Sequence, residues 1–470
     1  MICRVRTAAA THPVMPVGFF HSDVNLKLFK EPDFNGLSSL LVREDIGLLF
    51  VGARGKEFHK HFPINMLTLS FCQVNWTVTS KEKALCKVKG KSIEECDNYI
   101  RMMHTLDDGR ILVCGTKAFD PTCTHLVHSF QNGRGKVPFD PNENFASMVN
   151  GLNQYGLGSM VRWPLDPVKG SLTLKSSCQT YQHILNDLIS GPNMISMKFA
   201  EISKHSNNNE DDNVFLFLTE IKIEAQRSNL RLSRVARVCK SDLGGLRILQ
   251  KKWTSFLKAR LDCPFGDEGS ASLVQDVFFL QDENNVTDSI FYATFTLMDP
   301  QFGNVQSAVC AYKLSDIQQV FRGNFMTFTD SGSWVRYTGT VFSPYPGSCI
   351  NDEMRASGVR TSRDVPDATL LFVKNHPLME QVVTPITGKP LLVRPTAQFS
   401  KIVVDKVTSL DGEQHNVMFI SNNSGWLQKA VWSGDDGGRI IEDLQLFKNP
   451  QPIRFLQLSR RVGYSYMPVD

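Results

Sequence analysis

No stretch of this 470-residue sequence is apolar for long enough to span a bilayer. The longest nearly uncharged run, 144–161 (NFASMVNGLNQYGLGSMV), is full of Asn, Gln, Ser and Gly, where about 18 predominantly apolar residues are needed. An excess of charge is also missing. The 51 Lys and Arg exceed the 47 Asp and Glu by only 4, a diluted surplus that argues against a nucleic-acid surface, which requires a concentrated basic patch. The first 20 residues, MICRVRTAAATHPVMPVGFF, are interrupted by His12, Pro13 and Pro16; they make a poor signal-peptide core and are left unassigned. Catalytic signatures are lacking too: there is no G-x-S-x-G, no H-E-x-x-H and no C-x-x-C pair. VKGKS (88–92) ends like a phosphate-binding loop, but Leu85 stands where the first glycine must be. GLNQYGLG (151–158) is not G-x-G-x-x-G, and His59 and His61 have no third metal ligand nearby. Asp107-Asp108, Asp211-Asp212 and Asp435-Asp436 stand beside Gly or Asn in turns, without the alternating spacing of a calcium loop. No enzyme activity, metal or cofactor is expected.

What is present is cysteine, apolar content and a recurring strand. With 42% hydrophobic residues the chain can bury a core. Of its 11 cysteines, Cys86 and Cys96 form one compact pair and Cys114 and Cys123 another, suited to stapling hairpins or loops; Cys239, Cys263, Cys310 and Cys349 follow at wide spacing. Three sequons begin at Asn75, Asn285 and Asn422, and together with the cysteines they favour an oxidising compartment. A polar turn, an apolar β-branched or aromatic strand and a second turn recur at 43–58, 106–119, 210–221, 286–298 and 412–431. The spacing is one to two times roughly 60 residues, the length of a four-stranded unit with long loops, and it predicts an all-β propeller. A pair of β-sandwiches also yields many short strands. No linker or shift of composition divides the chain, which favours the propeller.

Between the two cysteines at 239 and 263 lies a basic stretch. Leu246, Leu249, Trp253, Phe256, Leu257 and Leu261 fall on one arc at helical spacing, with Arg247, Lys251 and Lys258 off it. The pattern predicts a packed helix over about 244–262, with the lysines as its solvated face.

CKVKGKSIEECDNYIRMM (86–103), ILVCGTKAFDPTC (111–123), GRGKVPFDP (133–141) and SRVARVCKSDLGGLRILQKKWTSFLKARLDC (233–263) resemble the sema domain of semaphorins. So do SAVCAYKLSDIQQVF (307–321), PYPGSCI (344–350), LLFVKNHPLM (370–379) and RIIEDLQLFKNPQPIRFLQLS (439–459), and QKKWTSFLKARL is similar in wording to the class 4, membrane-anchored members. The resemblance implies a seven-bladed sema propeller over 21–470 that acts as an extracellular ligand of plexin receptors, usually as a homodimer, guiding or repelling axons and migrating cells. It implies the disulfides Cys86–Cys96, Cys114–Cys123, Cys239–Cys349 and Cys263–Cys310, leaving Cys3, Cys72 and Cys178 over. It also implies that the segment holding Trp253 is an insertion in the fifth blade that helps build the dimer.

Two stretches depart from the family. Residues 149–192, where the third blade falls, lack the expected strand and turn wording, and receptor contacts in the family come largely from blades three and four. The end of the sequence suggests an incomplete last blade with exposed sheet edges. The alternative function is therefore a sema-like propeller that does not bind plexin.

Overall fold

A computed structural model describes residues 36–61, 71–125, 131–134, 136–150, 153–157, 161–164, 192–222, 230–250, 252–266, 271–298, 305–409, 412–432, 437–447 and 449–459, with the strands 2–6, 17–20, 27–29 and 464–468. Among these residues the strands form seven sheets of three to five strands and one two-stranded ribbon. The chain divides into two compact units, Met1–Gln182 with Asp405–Ala430 and Ile440–Asp470, and His183–Val404 with Val431–Arg439.

In the first unit, the first sheet is Ser39–Arg43, Leu48–Ala53, Lys56–His61 and Phe71–Asn75, antiparallel throughout. The second is Ile100–Thr105, Ile111–Gly115, Thr122–His125 and Gln131–Asn132. Phe50, Trp76, Ile100, Met103, Ile111 and Val113 form a shared core between these two sheets. Ala146–Asn150, Asn153–Leu157 and Val161–Pro164 make a three-stranded third sheet, so the stretch that reads unlike the family still begins as strands. Residues 165–191, with Cys178, lie outside the described residues.

The expectation of an incomplete last blade is corrected here. The seventh sheet is four-stranded, in the order Lys27–Phe29, Ile2–Arg6, Tyr464–Pro468, Gln457–Ser459, so each end of the chain supplies two strands. Val17–Phe20 joins the sixth sheet in parallel beside Gly438–Gln445. The N-terminal residues left unassigned above thus contain two strands. The other strands of the sixth sheet are Phe399–Thr408, Gln414–Asn422 and Trp426–Trp432.

The second unit holds the fourth sheet, Asn193–Ala200, Asn213–Ile221, Arg231–Cys239 and Leu257–Leu261, with Leu378–Val383 added in parallel. Its fifth sheet is Leu273–Leu280, Ile290–Met298, Val305–Lys313 and Leu392–Arg394. Phe215 and Phe217 from the fourth sheet meet Phe291 of the fifth at 5.4 and 5.2 Å between ring centroids, in a core that also includes Tyr312 and Phe295.

The helix expected over 244–262 does not form. Residues 244–250 and 252–256 run through turns, and Leu257–Leu261 is a strand. The cause is local. The buried Asp242 carboxylate accepts hydrogen bonds from the backbone N–H of Gly244, Thr254 and Ser255 and from both hydroxyls, which folds the chain back on itself. Gly244 and Leu249 take φ of 78° and 55°, incompatible with a right-handed helix. Leu249, Phe256, Leu257 and Leu261 are buried and Trp253 is half-buried, but from turns and a strand, while Leu246 is 59% exposed. Lys258, expected in solvent, is buried beside Glu220. Lys251 lies outside the described residues.

Candidate interaction surface

The inserted segment of the second unit lies further along the chain, between the third and fourth strands of the fifth sheet. It starts with helix α1, Leu314–Val320, whose Leu314, Ile317 and Val320 point into the core. A hairpin follows, Met326–Phe328 with Trp334–Arg336, turned at Gly332, which has φ 79°. Helix α2, Asp352–Ala356, is capped by Asn351, whose Oδ1 accepts from the Met354 N–H at 2.9 Å; helix α3 is Asp367–Asn375.

Aromatic side chains root this segment in the core. Phe325 packs edge-on against Phe372 at 5.0 Å, and Tyr337 does so at 5.1 Å; Tyr345 lies 5.2 Å from Phe325. Polar groups then fix its position. Arg322 pairs with Glu210 at 2.8 Å, the Asp352 N–H donates to the Asn208 carbonyl at 2.9 Å, and the Cys239–Cys349 disulfide ties it to the fourth sheet. Arg237 is buried on that sheet, donates to the Gly347 carbonyl and lies 5.4 Å from the Phe321 ring centroid. Burial lowers its pKa to about 10, which still leaves it charged at neutral pH.

Part of what the segment leaves outside is apolar, beside exposed charges such as Arg322, Asp352 and Arg360. Phe328, Val335, Val341, Phe342 and Leu371 are each 41–47% exposed. Large apolar side chains held outward on a rigid support mark an interaction surface more often than a scatter of single residues does. The cavity under the segment, lined by Asp211, Asp242, Tyr345 and Ser348, is about 20 Å³, room for one water. That excludes a small-molecule site there. Among the described residues no group of three or more His, Cys, Asp or Glu could hold a metal, and no helix is long and apolar enough to cross a membrane.

Eight of the cysteines are joined in four disulfides. Cys86–Cys96 staples a loop, and Cys114–Cys123 links directly opposed residues of adjacent strands. Cys263–Cys310 joins the end of the fourth sheet to the fifth. Of the sequons, Asn75 is exposed and Asn285 is half-buried, its Oδ1 accepting from the Thr287 N–H at 3.2 Å. Asn422 is 7% exposed, and its Oδ1 accepts from the N–H groups of Ser424 and Trp426, so in the folded chain it does not present its amide to solvent. The position of the insertion was missed because its own signal, short helices among turns, is weak beside the strong apolar period of 246–261.

A family model of the Sema domain matches residues 274–460. Mouse (Mus musculus) Semaphorin-4D is 40% identical over 99% of this chain and 55% of its own length, and mouse Semaphorin-4C is 35% identical over 93% and 52%. The structure of the extracellular domains 1-2 of Drosophila Semaphorin 1a matches with a TM-score of 0.72 and 28% identity, covering 92% of this chain and 85% of that one. A chain of the structure of Drosophila Plexin A in complex with Semaphorin 1b matches with a TM-score of 0.69 and 26% identity, covering 92% and 84%. The sheets, the disulfides and these likenesses define an all-β propeller of the sema type. The chain belongs to the semaphorin family, with class 4 members among its relatives. It spans about half the length of the curated relatives it matches.

Proposed function

We propose that this chain is the receptor-binding propeller of an extracellular signalling ligand that engages a plexin and guides or repels axons and migrating cells. The observation that carries the reading is the likeness, over 92% of the chain, to a structure in which a semaphorin is bound to a plexin. The exposed apolar side chains of the inserted segment support pairing of two copies there, since Phe328, Phe342 and Leu371 would each gain by leaving water. Two copies also present two receptor sites, which raises avidity on a cell surface. Glycans are proposed at Asn75 and Asn285.

A second reading, a sema-like propeller without plexin binding, draws on the third sheet. Its central strand, Asn153–Leu157 (NQYGL), lacks the strongly apolar run of its counterparts such as Asn213–Ile221. The experiment is a contraction assay on paired cell lines that carry or lack a plexin, exposed to this chain secreted behind a heterologous leader. Contraction confined to plexin-bearing cells is expected. Equal behaviour of both lines would leave only the second reading.

A further inference from the structure

Three of the four most exposed large apolar side chains among the described residues lie on a stapled loop of the first unit. A helix over Ser80–Val88 closes with Gly90 at φ 81°. Leu85, Val88 and Ile93 are 59, 85 and 63% exposed, and Val88 is the most exposed large apolar residue among those described. An ordinary surface helix turns its apolar stripe inward. Here only Cys86 of the apolar residues is buried, Lys83 pairs with Asp97 and Glu82 with Lys117 at 3.3 Å, and Leu85 and Val88 are left in solvent.

This placing is held firmly. Thr79 and Glu82 form a capping box, and Cys86–Cys96 closes the loop. Lys91 pairs with Asp140 at 2.9 Å and lies 4.6 Å from the centroid of the Phe119 ring. Beneath, Lys117, Ala118 and Phe119 occupy the left-handed region in succession, fixed by Asn98 Oδ1 and the Asp97 carbonyl. Beside the apolar residues Lys81, Lys87 and Lys89 are exposed and have no ion pair among the described residues, against one exposed acid, Glu94; the Lys89 Nζ donates to the Phe119 carbonyl at 3.1 Å, which leaves its charge uncompensated.

We infer that this loop docks on an anionic lipid surface, with Leu85, Val88 and Ile93 entering the headgroup boundary and Lys81, Lys87 and Lys89 meeting the lipid charge. The composition selects lipid over a protein pocket. Protein interfaces are enriched in Trp, Tyr and Arg and depleted in Lys, and this patch has three lysines and none of the former. Aliphatic residues flanked by lysine are what an interfacial anchor uses. Each lysine near an anionic surface is worth about fivefold in partition, on the order of a hundredfold for three.

The test is flotation of the whole chain with phosphatidylcholine vesicles, with and without phosphatidylserine, at about 0.1 and about 0.5 M salt. Binding to the serine-containing vesicles that weakens with salt is expected. Leu85→Ser/Val88→Ser/Ile93→Ser should lower it at least tenfold or so, with an unchanged circular dichroism spectrum, because all three side chains are exposed. Lys81→Ser/Lys87→Ser/Lys89→Ser should abolish the preference for phosphatidylserine. No flotation of the natural chain overturns the proposal, as does equal flotation of the apolar variant. If that variant floats normally but loses a plexin ectodomain, the patch is a protein contact and the lipid assignment is wrong.

Discussion

Replacing Glu220 by glutamine should loosen the fourth sheet more than any other single change of comparable size. Glu220, Arg234 and Lys258 lie on three consecutive strands, and their side chains are 4, 8 and 5% exposed. Arg234 Nε donates to Oε1 at 2.6 Å, and Lys258 Nζ reaches both carboxylate oxygens at 3.0 and 2.7 Å. One carboxylate therefore serves two buried cations. Removing its charge leaves both uncompensated, a loss of about 3–5 kcal/mol by comparison with other buried pairs. Burial already lowers the Lys258 pKa. In the variant that drop should deepen, so the folded form binds fewer protons than the unfolded one, and stability should recover as pH rises toward the ordinary lysine value. Hydrogen exchange of the amides in Asn213–Ile221 and Arg231–Cys239 reads the effect without requiring the whole chain to unfold at once. Exchange on these strands should quicken at least about a hundredfold at neutral pH. A change below about fivefold, or one that grows with rising pH, would refute the reasoning.

Three further outcomes follow from the geometry. Gly347→Ala should free the inserted segment by about 1–3 kcal/mol, because Gly347 has φ +77° and an added Cβ would lie 2.7 Å from Leu257 Cγ; faster exchange at residues 345–350 would register it. Burial holds the His104 imidazole, bonded to Ser147 Oγ at 2.8 Å, at a pKa of about 4 against 6.5 unfolded. The neutral ring contributes stability that is complete above pH 6.5 and is lost as pH falls toward 4, at most about 3 kcal/mol and less where solvent reaches the half-buried ring; melting curves of the natural chain and His104→Gln should converge as pH falls. Phe342→Asp with Leu371→Asp should shift sedimentation from dimer to monomer with little change in melting temperature, since both residues are exposed; an unaltered dimer would move the pairing surface elsewhere.

The five recurring stretches show why much of the fold was legible. Each contains the second strand of a sheet: Leu48–Ala53, Ile111–Gly115, Asn213–Ile221, Ile290–Met298 and Gln414–Asn422. Second strands have neighbours on both edges, and these are mostly buried on both faces, as in Val214–Glu220, so the sequence there is a near-continuous apolar run. Edge strands such as Gln131–Asn132 and Leu392–Arg394 are short and leave little pattern. The misread helix has a different origin. Leu249, Phe256, Leu257 and Leu261 are apolar because they are buried, and their spacing matches a helix by coincidence; the Asp242 carboxylate that bends the chain is a tertiary effect invisible to periodicity. Lys258 misled for a related reason, since its buried partner Glu220 lies 38 residues away. The outward placing of Leu85 and Val88 on Ser80–Val88 was hidden too, because the side of that helix that faces the protein is set by its contacts with Cys96, Asp97 and Lys117, beyond the helix itself.

Direct binding to a panel of plexin ectodomains, measured by surface plasmon resonance, tests the central claim. It is done beside a second chain in which residues 149–192 are replaced by the counterpart of a plexin-binding relative. Saturable binding of the natural chain to at least one plexin, weakened in the Phe342→Asp/Leu371→Asp variant through lost avidity, is the result expected. Binding by the replaced chain alone would mean a semaphorin in architecture that does not act as a plexin ligand.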